Sequence, residues 1–352
     1  MPDPELTLLV FIVVLAVGFG LVNGFNDAAN AIAASVGSRA LSPRNALIIA
    51  AVANLIGAAS GLAVAKTIGE EILVSQAISH LTIIAALASV IVWGSIATWM
   101  GLPVSITHGF IAGLAAAGVA IASTLNLDWY QTVQWDVIGR VGSSVAIAPV
   151  LGFIGGFLLM VVLFWVFRRS APSGMRTVFS RLQWLTTAFL AYSHGKNDGQ
   201  MPIGVIAMAL VAYYQQVGQV SQSTAVWSEI TIGGSLWWVI LLAAMAISTG
   251  TAVGGWRVIR TMGTRVTALE PVHGFAAQVS AATVIEVASH LGIPVSTTHC
   301  ATSSVMGIGA TKRLSAVRWG VAGNIATAWI LTFPICGALG YIFARLLQPL
   351  FG

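Results

Sequence analysis

The chain has 352 residues, of which 57% are hydrophobic and 8% are charged. Ordinary soluble proteins carry about 25% charged residues, and a soluble fold of this length could not bury so much apolar surface. The composition therefore predicts an all-α polytopic membrane protein and excludes a disordered chain, a disulfide scaffold and a soluble enzyme. The formal net charge of +5 is interpreted as a topology signal, so no nucleic-acid partner is expected.

Apolar segments follow one another along the chain and predict about 10–12 membrane segments, since one span needs roughly 20 residues. The segments are 6–38, 45–64, 81–100, 104–122, 137–167, 182–214, 229–248, 270–291, 294–310 and 316–348. Segments 6–38 and 182–214 are too long for one straight span. We expect breaks in them at Asn23–Asp27 and at His194–Gly199. Segment 316–348 contains Pro334 and is either one span or two.

The distribution of basic residues predicts the topology. Four loops between these segments hold most of the lysines and arginines: Arg39 and Arg44; Arg168, Arg169, Arg176 and Arg181; Arg257, Arg260 and Arg265; Lys312, Arg313 and Arg318. Positively charged loops stay in the cytoplasm. One orientation satisfies all four loops, and it predicts a multi-pass protein of the cell membrane with both termini outside.

The sequence contains an internal repeat. Residues 101–108 read GLPVSITH and residues 292–299 read GIPVSTTH, while GFND at 24–27 is matched by GKND at 195–198. The predicted topology places the two copies in opposite orientations. This is an inverted-topology repeat, which is typical of secondary transporters with a site near the membrane midplane.

The repeat also predicts the organisation of the chain. Residues 1–130 form the first repeat, and residues 131–181 form a connecting span and cytoplasmic loop. Residues 182–315 form the second repeat, and residues 316–352 form the C-terminal span or spans. Each repeat contains an Asn-Asp motif followed by a helical hairpin.

The Asn-Asp motifs are candidate cation sites. Asp27 and Asp198 lie within long apolar segments, where an unpaired charge costs about 2.5–3.5 kcal/mol. Each carboxylate therefore needs a cation or a proton. The amides of Asn26 and Asn197 are candidate ligands beside them, and the adjacent glycines would let the helix unwind. Oxygen ligands suit Na⁺ or another hard cation; helix capping is a compatible alternative.

The two hairpin turns predict an anion site. Pro103 and Pro294 precede Ser-x-Thr, and proline favours the first turn of a helix. Two helix starts would then direct free N–H groups and positive dipole ends at an anion. The candidate hydroxyl donors are Ser105, Thr107, Ser296, Thr297 and Thr298. The alternative for each hydroxyl is a hydrogen bond to its own helix backbone.

Other polar residues in the apolar segments are second-rank candidates. The histidines either relay protons or are structural, Glu286 is a candidate for proton handling, and Gln278 could supply an oxygen. The second-rank candidates are His108, His194, His299, Gln278, Glu286 and Lys196.

At these motifs the chain resembles the inorganic phosphate transporter family. The stretches GFNDAANA at 24–31, PVSITH at 103–108, PVSTTH at 294–299 and HGKNDGQ at 194–200 are similar to the family's motifs. The resemblance covers about residues 18–120 and 185–315. It implies a cation-coupled carrier of orthophosphate, with Asn30 as a further cation ligand. The chain departs from the family where Met201 aligns with Asn30 and where Lys196 replaces a small residue.

The sequence therefore predicts a secondary transporter that imports inorganic phosphate by symport with Na⁺ or H⁺, with no other cofactor. The alternatives are a sulfate permease on the same scaffold, an anion channel and an intramembrane enzyme. The chain shows no protease or esterase motif and no ATP-binding domain, so an enzyme is not expected. The lipid bilayer, phosphate and the coupling cation are the expected partners, and a homodimer is considered as the assembly.

Overall fold

The computed structural model describes residues 4–218 and 223–351. Apart from one isolated antiparallel bridge between Leu73 and Val133, these residues contain no β-structure. The α-helices are α1 (Pro4–Gly37), α2 (Pro43–Ala58), α3 (Ala63–Glu70), α4 (His80–Met100), α5 (Ile106–Ala120), α6 (Trp135–Val166), α7 (Pro172–Asp198), α8 (Met201–Gln216), α9 (Ser223–Glu229), α10 (Trp237–Val253), α11 (Trp256–Arg260), α12 (Pro271–His290), α13 (Thr297–Lys312) and α14 (Trp319–Phe351). A π-helical turn, Thr261–Arg265, continues α11.

Several helices have the length and composition of membrane spans, which confirms the predicted fold class. In the part of the chain that the structure describes, α1, α4, α6 and α14 qualify singly. The pairs α2–α3 and α10–α11 qualify together, with bends of 67° and 60°. The prediction of about 10–12 segments also counted helices that are shorter or more polar, namely α5, α7, α8, α12 and α13.

The two halves of the chain interlock. Helix α1 packs mainly against α10, and α7 packs against α2 and to a similar extent against α12. The first hairpin, α4–α5, packs against α14, while the second hairpin, α12–α13, packs against α6. The contact of α1 with α10 thus corresponds to that of α7 with α2, and the contact of the first hairpin with α14 corresponds to that of the second hairpin with α6. The predicted boundary at residue 182 lies inside α7.

The direction of α7 is opposite to that of α1. Only residues 38–42 join α1 to α2, and the two helices pack together, so α2 runs back along α1. Helix α7 runs parallel to α2, because Ser38, just before α2, bonds Gln183 early in α7 (3.0 Å) while Asn54 bonds His194 near the end of α7 (2.8 Å). The two Asn-Asp motifs therefore approach the centre on oppositely directed helices.

The predicted break at Asn23–Asp27 is wrong, because α1 is continuous through it. Gly24 does not unwind the helix; a Cβ there would collide with the backbone carbonyl of Ile247 in α10. A Cβ at Gly195 would likewise collide with the backbone carbonyl of Asn54 in α2. Both glycines allow close helix packing, so the backbone hydrogen bonds remain intact.

The structure also corrects the second predicted break and decides between the two alternatives for the C-terminal segment. Helix α7 extends to Asp198, and the break follows at Gly199 and Gln200, so His194–Asp198 is helical. Segment 316–348 is one helix, α14, with Pro334 inside it. A proline removes one helical hydrogen bond and is tolerated in apolar helices when neighbouring helices pack around it.

Candidate functional site

The carboxylates of Asp27 and Asp198 lie at the centre of the molecule. Their exposed fractions are 2% and 0%. Helix α1 supplies Asp27, the last residue of α7 is Asp198, and the first turns of α5 and α13 face them. The structure thus brings the two Asn-Asp motifs and the two hairpin turns into a single buried site.

Threonine hydroxyls from both hairpins contact the carboxylates. Thr107 donates to Oδ1 of Asp198 (3.1 Å), and Thr297 donates to its Oδ2 (2.8 Å). The hydroxyl of Thr298 lies 3.0 Å from Oδ1 of Asp27 and 3.0 Å from the carbonyl of Val104, and it can donate to either. Charge-assisted hydrogen bonds of this kind are the stronger ones in proteins. These three hydroxyls therefore contact the carboxylates of the Asn-Asp motifs rather than bonding only their own helices.

The two serines start the hairpin helices. Ser105 accepts a hydrogen bond from the backbone N–H of His108, and Ser296 accepts one from that of His299, both at 3.2 Å. Each serine is extended, as a helix N-cap is. The proline at each turn lies two residues before the cap rather than in the first helical turn. The predicted helix starts are confirmed, although serine defines them and not proline.

His194 lies between the two carboxylates. Its Nε2 is 3.1 Å from Oδ2 of Asp198 and 3.8 Å from Oδ2 of Asp27. Its Nδ1 is 2.8 Å from Oδ1 of Asn54, whose amide nitrogen bonds the hydroxyl of Thr251 (2.8 Å). From the sequence, His194 was predicted only as a second-rank candidate. Asn54 and Thr251 were not predicted, because each occurs in an apolar stretch without a recognisable motif.

Two asparagine side chains of α1 have free oxygens, and one of them, Asn30, contacts the threonines of the site. Asn30 donates to the hydroxyls of Thr297 (3.2 Å) and Thr298 (2.9 Å). Asn26 donates to Thr98 (2.6 Å). Among the described residues, the side-chain oxygens of Asn26 and Asn30 are buried without a hydrogen-bond partner. Buried oxygens without partners are costly, so both amides are suited to bind a cation.

The third amide, Asn197, is held in place by the second hairpin. Its nitrogen donates to Oδ1 of Asp198 (2.6 Å) and to the carbonyl of Val295 (2.8 Å). Its oxygen accepts from Ser289 (3.3 Å). Asn197 therefore links α7 to α12 and to the turn of the hairpin, and all polar atoms of its amide have partners.

His108 and His299 form a buried aromatic cluster behind the hairpin starts. Their ring centroids are 5.3 Å apart. His108 stacks on Phe333 at 5.2 Å, and His299 lies 4.0 Å from Trp329, both in α14. The two imidazoles thus pack the hairpins against each other and against α14, and neither contacts Asp27 or Asp198 through a hydrogen bond that the structure describes.

The remaining candidates tie helices together around the site. Gln278 accepts from Thr186 (2.6 Å) and donates to Thr187 (2.9 Å) and to the carbonyl of Ala31 (3.1 Å). It therefore joins α12 to α7 and α1. Lys196 forms an ion pair with Glu286 of α12. In the described part of the chain, Lys196 makes no ion pair with the central carboxylates.

The central side chains could hold a metal ion or another cation. Asp27, His194 and Asp198 each offer one ligand atom, and these atoms lie within 4.8 Å of one another. Among the described residues, no other group of three or more acidic, histidine or cysteine side chains has this geometry. Two oxygens and one nitrogen are a mixed donor set, whereas Na⁺ prefers oxygen alone.

The sequence matches the model of a phosphate transporter family over residues 23–176 and 168–340. The chain belongs to the phosphate transporter family. It is 34% identical over 351 residues to a Bacillus subtilis (strain 168) protein described as a "Probable low-affinity inorganic phosphate transporter", covering 99% of this chain and 100% of that one. A Rhizobium meliloti (strain 1021) protein with the same description is 36% identical over 347 residues, covering 96% and 97%.

A solved structure supports the fold of this family member. The structure, titled "The sodium-dependent phosphate transporter", matches with a TM-score of 0.78 and 24% identity, covering 97% of this chain and 99% of that one. At this level of identity the match concerns the fold. It agrees with the predicted helical membrane protein, and the family agrees with the resemblance seen in the motifs.

Proposed function

We propose that this protein is a secondary carrier that imports inorganic phosphate across the cell membrane by symport with a cation. The observation that carries the proposal is the convergence of two buried carboxylates and two hairpin helix starts on one site. A carrier of an anion and a cation needs both kinds of group side by side. The descriptions of the relatives as inorganic phosphate transporters support phosphate as the anion.

The hairpin starts are proposed to bind phosphate. Helix N-termini offer free N–H groups and a positive dipole end to an anion. Thr107 and Thr297 donate to Asp198, and Thr298 can donate to Asp27. A hydroxyl can rotate from a carboxylate oxygen to a phosphate oxygen without any movement of the backbone. Phosphate binding would remove these donors from the carboxylates and so increase their need for a cation.

Coupling to a cation has a physical basis. Moving one charge across 100 mV is worth about 2.3 kcal/mol, so a dianion entering a negative-inside cell costs roughly 4.6 kcal/mol. A cation that travels with phosphate offsets this energy. Asp27 and Asp198 are proposed to hold that cation, and the unpartnered oxygens of Asn26 and Asn30 are proposed as further ligands.

The contacts of His194 favour H⁺ over Na⁺ as the coupling cation. The Asn54 amide nitrogen donates to Thr251, so its oxygen faces Nδ1 of His194 and that nitrogen must donate. The other nitrogen, Nε2, faces the carboxylate of Asp198. A second proton, on Nε2, would make His194 an imidazolium that can donate toward both acceptors. The imidazolium would then occupy the place between the carboxylates that a metal cation would take.

Alternating access is proposed to act on an inverted repeat. The opposite directions of α1 and α7, and the equivalent contacts of the two hairpins, support this arrangement. In the proposed topology both termini lie outside and the basic loops lie in the cytoplasm. The site between the repeats would open to one side at a time.

Uptake of radiolabelled phosphate into proteoliposomes tests this function. We expect saturable uptake that an inward proton gradient drives and that a Na⁺ gradient at equal pH does not. Dependence on Na⁺ alone would refute the assignment of H⁺. Stronger competition by sulfate than by unlabelled phosphate would favour the sulfate permease, and uptake without saturation would favour a channel.

A further inference from the structure

A second short motif recurs in the two halves of the chain. Residues 66–69 read KTIG, and residues 260–263 read RTMG. Each stands in the short helix that follows a sharp bend, α3 after 67° and α11 with its π-helical turn after 60°. Both copies therefore consist of a basic residue, a threonine, an apolar residue and a glycine at equivalent places in the fold.

The threonine of each motif bonds the hairpin of the other half. Thr67 donates to the carbonyl of Gly292 (2.9 Å). The hydroxyl of Thr261 lies 3.0 Å from the carbonyl of Gly101 and also 3.0 Å from the carbonyl of Arg257 in its own helix, so these two carbonyls share it. Both glycines are left-handed, with φ of +70° and +76°, and each ends the first arm of its hairpin. The contacts are therefore crossed: the first half holds the second hairpin, and the second half holds the first.

Both threonines are almost fully buried, with exposed fractions of 8% for Thr67 and 7% for Thr261. Their partners lie four residues before the helix caps Ser105 and Ser296. Gly101 is buried and Gly292 is partly buried, and a carbonyl shielded from water is destabilised when it loses its donor. Each threonine consequently fixes the start of the turn that delivers a hairpin's donors to the central carboxylates.

The glycine of each motif packs against a second helix, which is α1 with its Asn-Asp motif in one case and α8, the helix after the other Asn-Asp motif, in the other. Gly263 packs against the carbonyl of Ala33 in α1, and Gly69 packs against the carbonyl of Gly204 in α8. A side chain at Gly263 would collide with that backbone, and one at Gly69 would collide with the ring of Trp227 beside it. Each motif is therefore held between a hairpin turn on one side and α1 or α8 on the other.

We propose that Thr67 and Thr261 are positioning residues of the transport site, each of which holds the substrate-binding turn of the opposite half. The link to phosphate binding rests on the proposed function, whereas the crossed contacts are independent of it. Because the two contacts are separate, one hairpin can be released while the other stays bound. Release of a single hairpin is what a carrier that opens one side at a time requires.

Hydrogen–deuterium exchange of the purified full-length protein tests the crossed contacts. Thr67→Val removes the hydroxyl with little change in shape, and we expect exchange to accelerate about three- to tenfold in residues 293–299. Residues 102–108 should keep the exchange rates of the unchanged protein. Thr261→Val should give the reverse result. Thr264→Val is the matched control, since its exposed hydroxyl bonds only the carbonyl of Arg260, and it should alter neither hairpin.

Conservative variants and phosphate titration complete the test. Thr67→Ser and Thr261→Ser keep the hydroxyl and should restore normal exchange. The affinity for inorganic phosphate should fall by a similar factor in the valine variants and recover in the serine variants. If a valine variant does not fold, the corresponding alanine variant replaces it.

The outcomes separate this inference from the proposed function. Equal acceleration in both hairpins, or in neither, would overturn the crossed contacts, as would serine variants that behave like valine variants. Crossed exchange with an unchanged affinity for phosphate in both valine variants would overturn their role in positioning the site. If the unchanged protein binds no phosphate, the proposed function fails, while the exchange result still decides the crossed contacts.

Discussion

Replacing His194 with glutamine should separate phosphate binding from proton-driven transport. The imidazole Nε2 lies 3.1 Å from Asp198 and 3.8 Å from Asp27, and it is fully buried. Glutamine can still donate a hydrogen bond, but it carries no charge. A hydrogen bond to a charged group is worth about 1.5–3 kcal/mol, and the two carboxylates would then repel each other without a cation between them. We expect about ten- to a hundredfold weaker phosphate binding and no accumulation under a proton gradient.

Two uptake measurements on proteoliposomes check this expectation. The first imposes a proton gradient, and the second measures exchange of labelled for unlabelled phosphate without any gradient. His194→Gln should lose the first activity and keep the second at high phosphate concentration. His290→Gln, in an exposed residue at the end of α12, is the matched control and should keep both. Normal gradient-driven uptake by His194→Gln would refute the role of the imidazolium.

Three further predictions concern the carboxylates, the donors and the topology. Asp27→Asn and Asp198→Asn should each abolish gradient-driven uptake with normal membrane insertion, and full uptake by either variant would make that residue a structural one. Thr298→Val should weaken phosphate binding about ten- to a hundredfold, measured by isothermal titration; an unchanged affinity would place the anion elsewhere. A cysteine in place of Lys66 should react with an impermeant thiol reagent from outside, and one in place of Arg265 from inside. Labelling of both from the same side would contradict the inverted repeat.

The sequence predicted the central residues because they recur as motifs. Asp27 and Asp198 follow the same two-residue pattern, and the hairpin turns share six of eight residues. A duplicated polar motif within apolar segments is a local signal, so it can be read without the fold. The role of Ser105 and Ser296 was not predicted, because the sequence analysis treated them as hydroxyl donors to an anion, whereas in the structure their oxygens cap the two helices.

The contacts that define His194 could not be predicted in this way. Asn54 is 140 residues away from it in the sequence, and one polar residue in an apolar helix has no spacing to interpret. The breaks were misplaced for a related reason. A Gly-x-Asn-Asp stretch has poor helix propensity, but in α1 the packing of Gly24 against α10 keeps the helix intact. Tertiary contacts override local propensity at both positions.

The interlocking of the two halves has a consequence for assembly. Helix α1 has its main partner, α10, in the other half, and α7 likewise packs against α2 in the other half. The glycine-lined surface of α1 at Gly24 therefore stays uncovered until the second half of the chain has been synthesised and inserted. Neither half can reach its native packing alone, whereas two separate polypeptides, one for each half, contain every partner. Co-expressed halves should consequently assemble into the same core, while a single half should be degraded or should pair with another copy of itself.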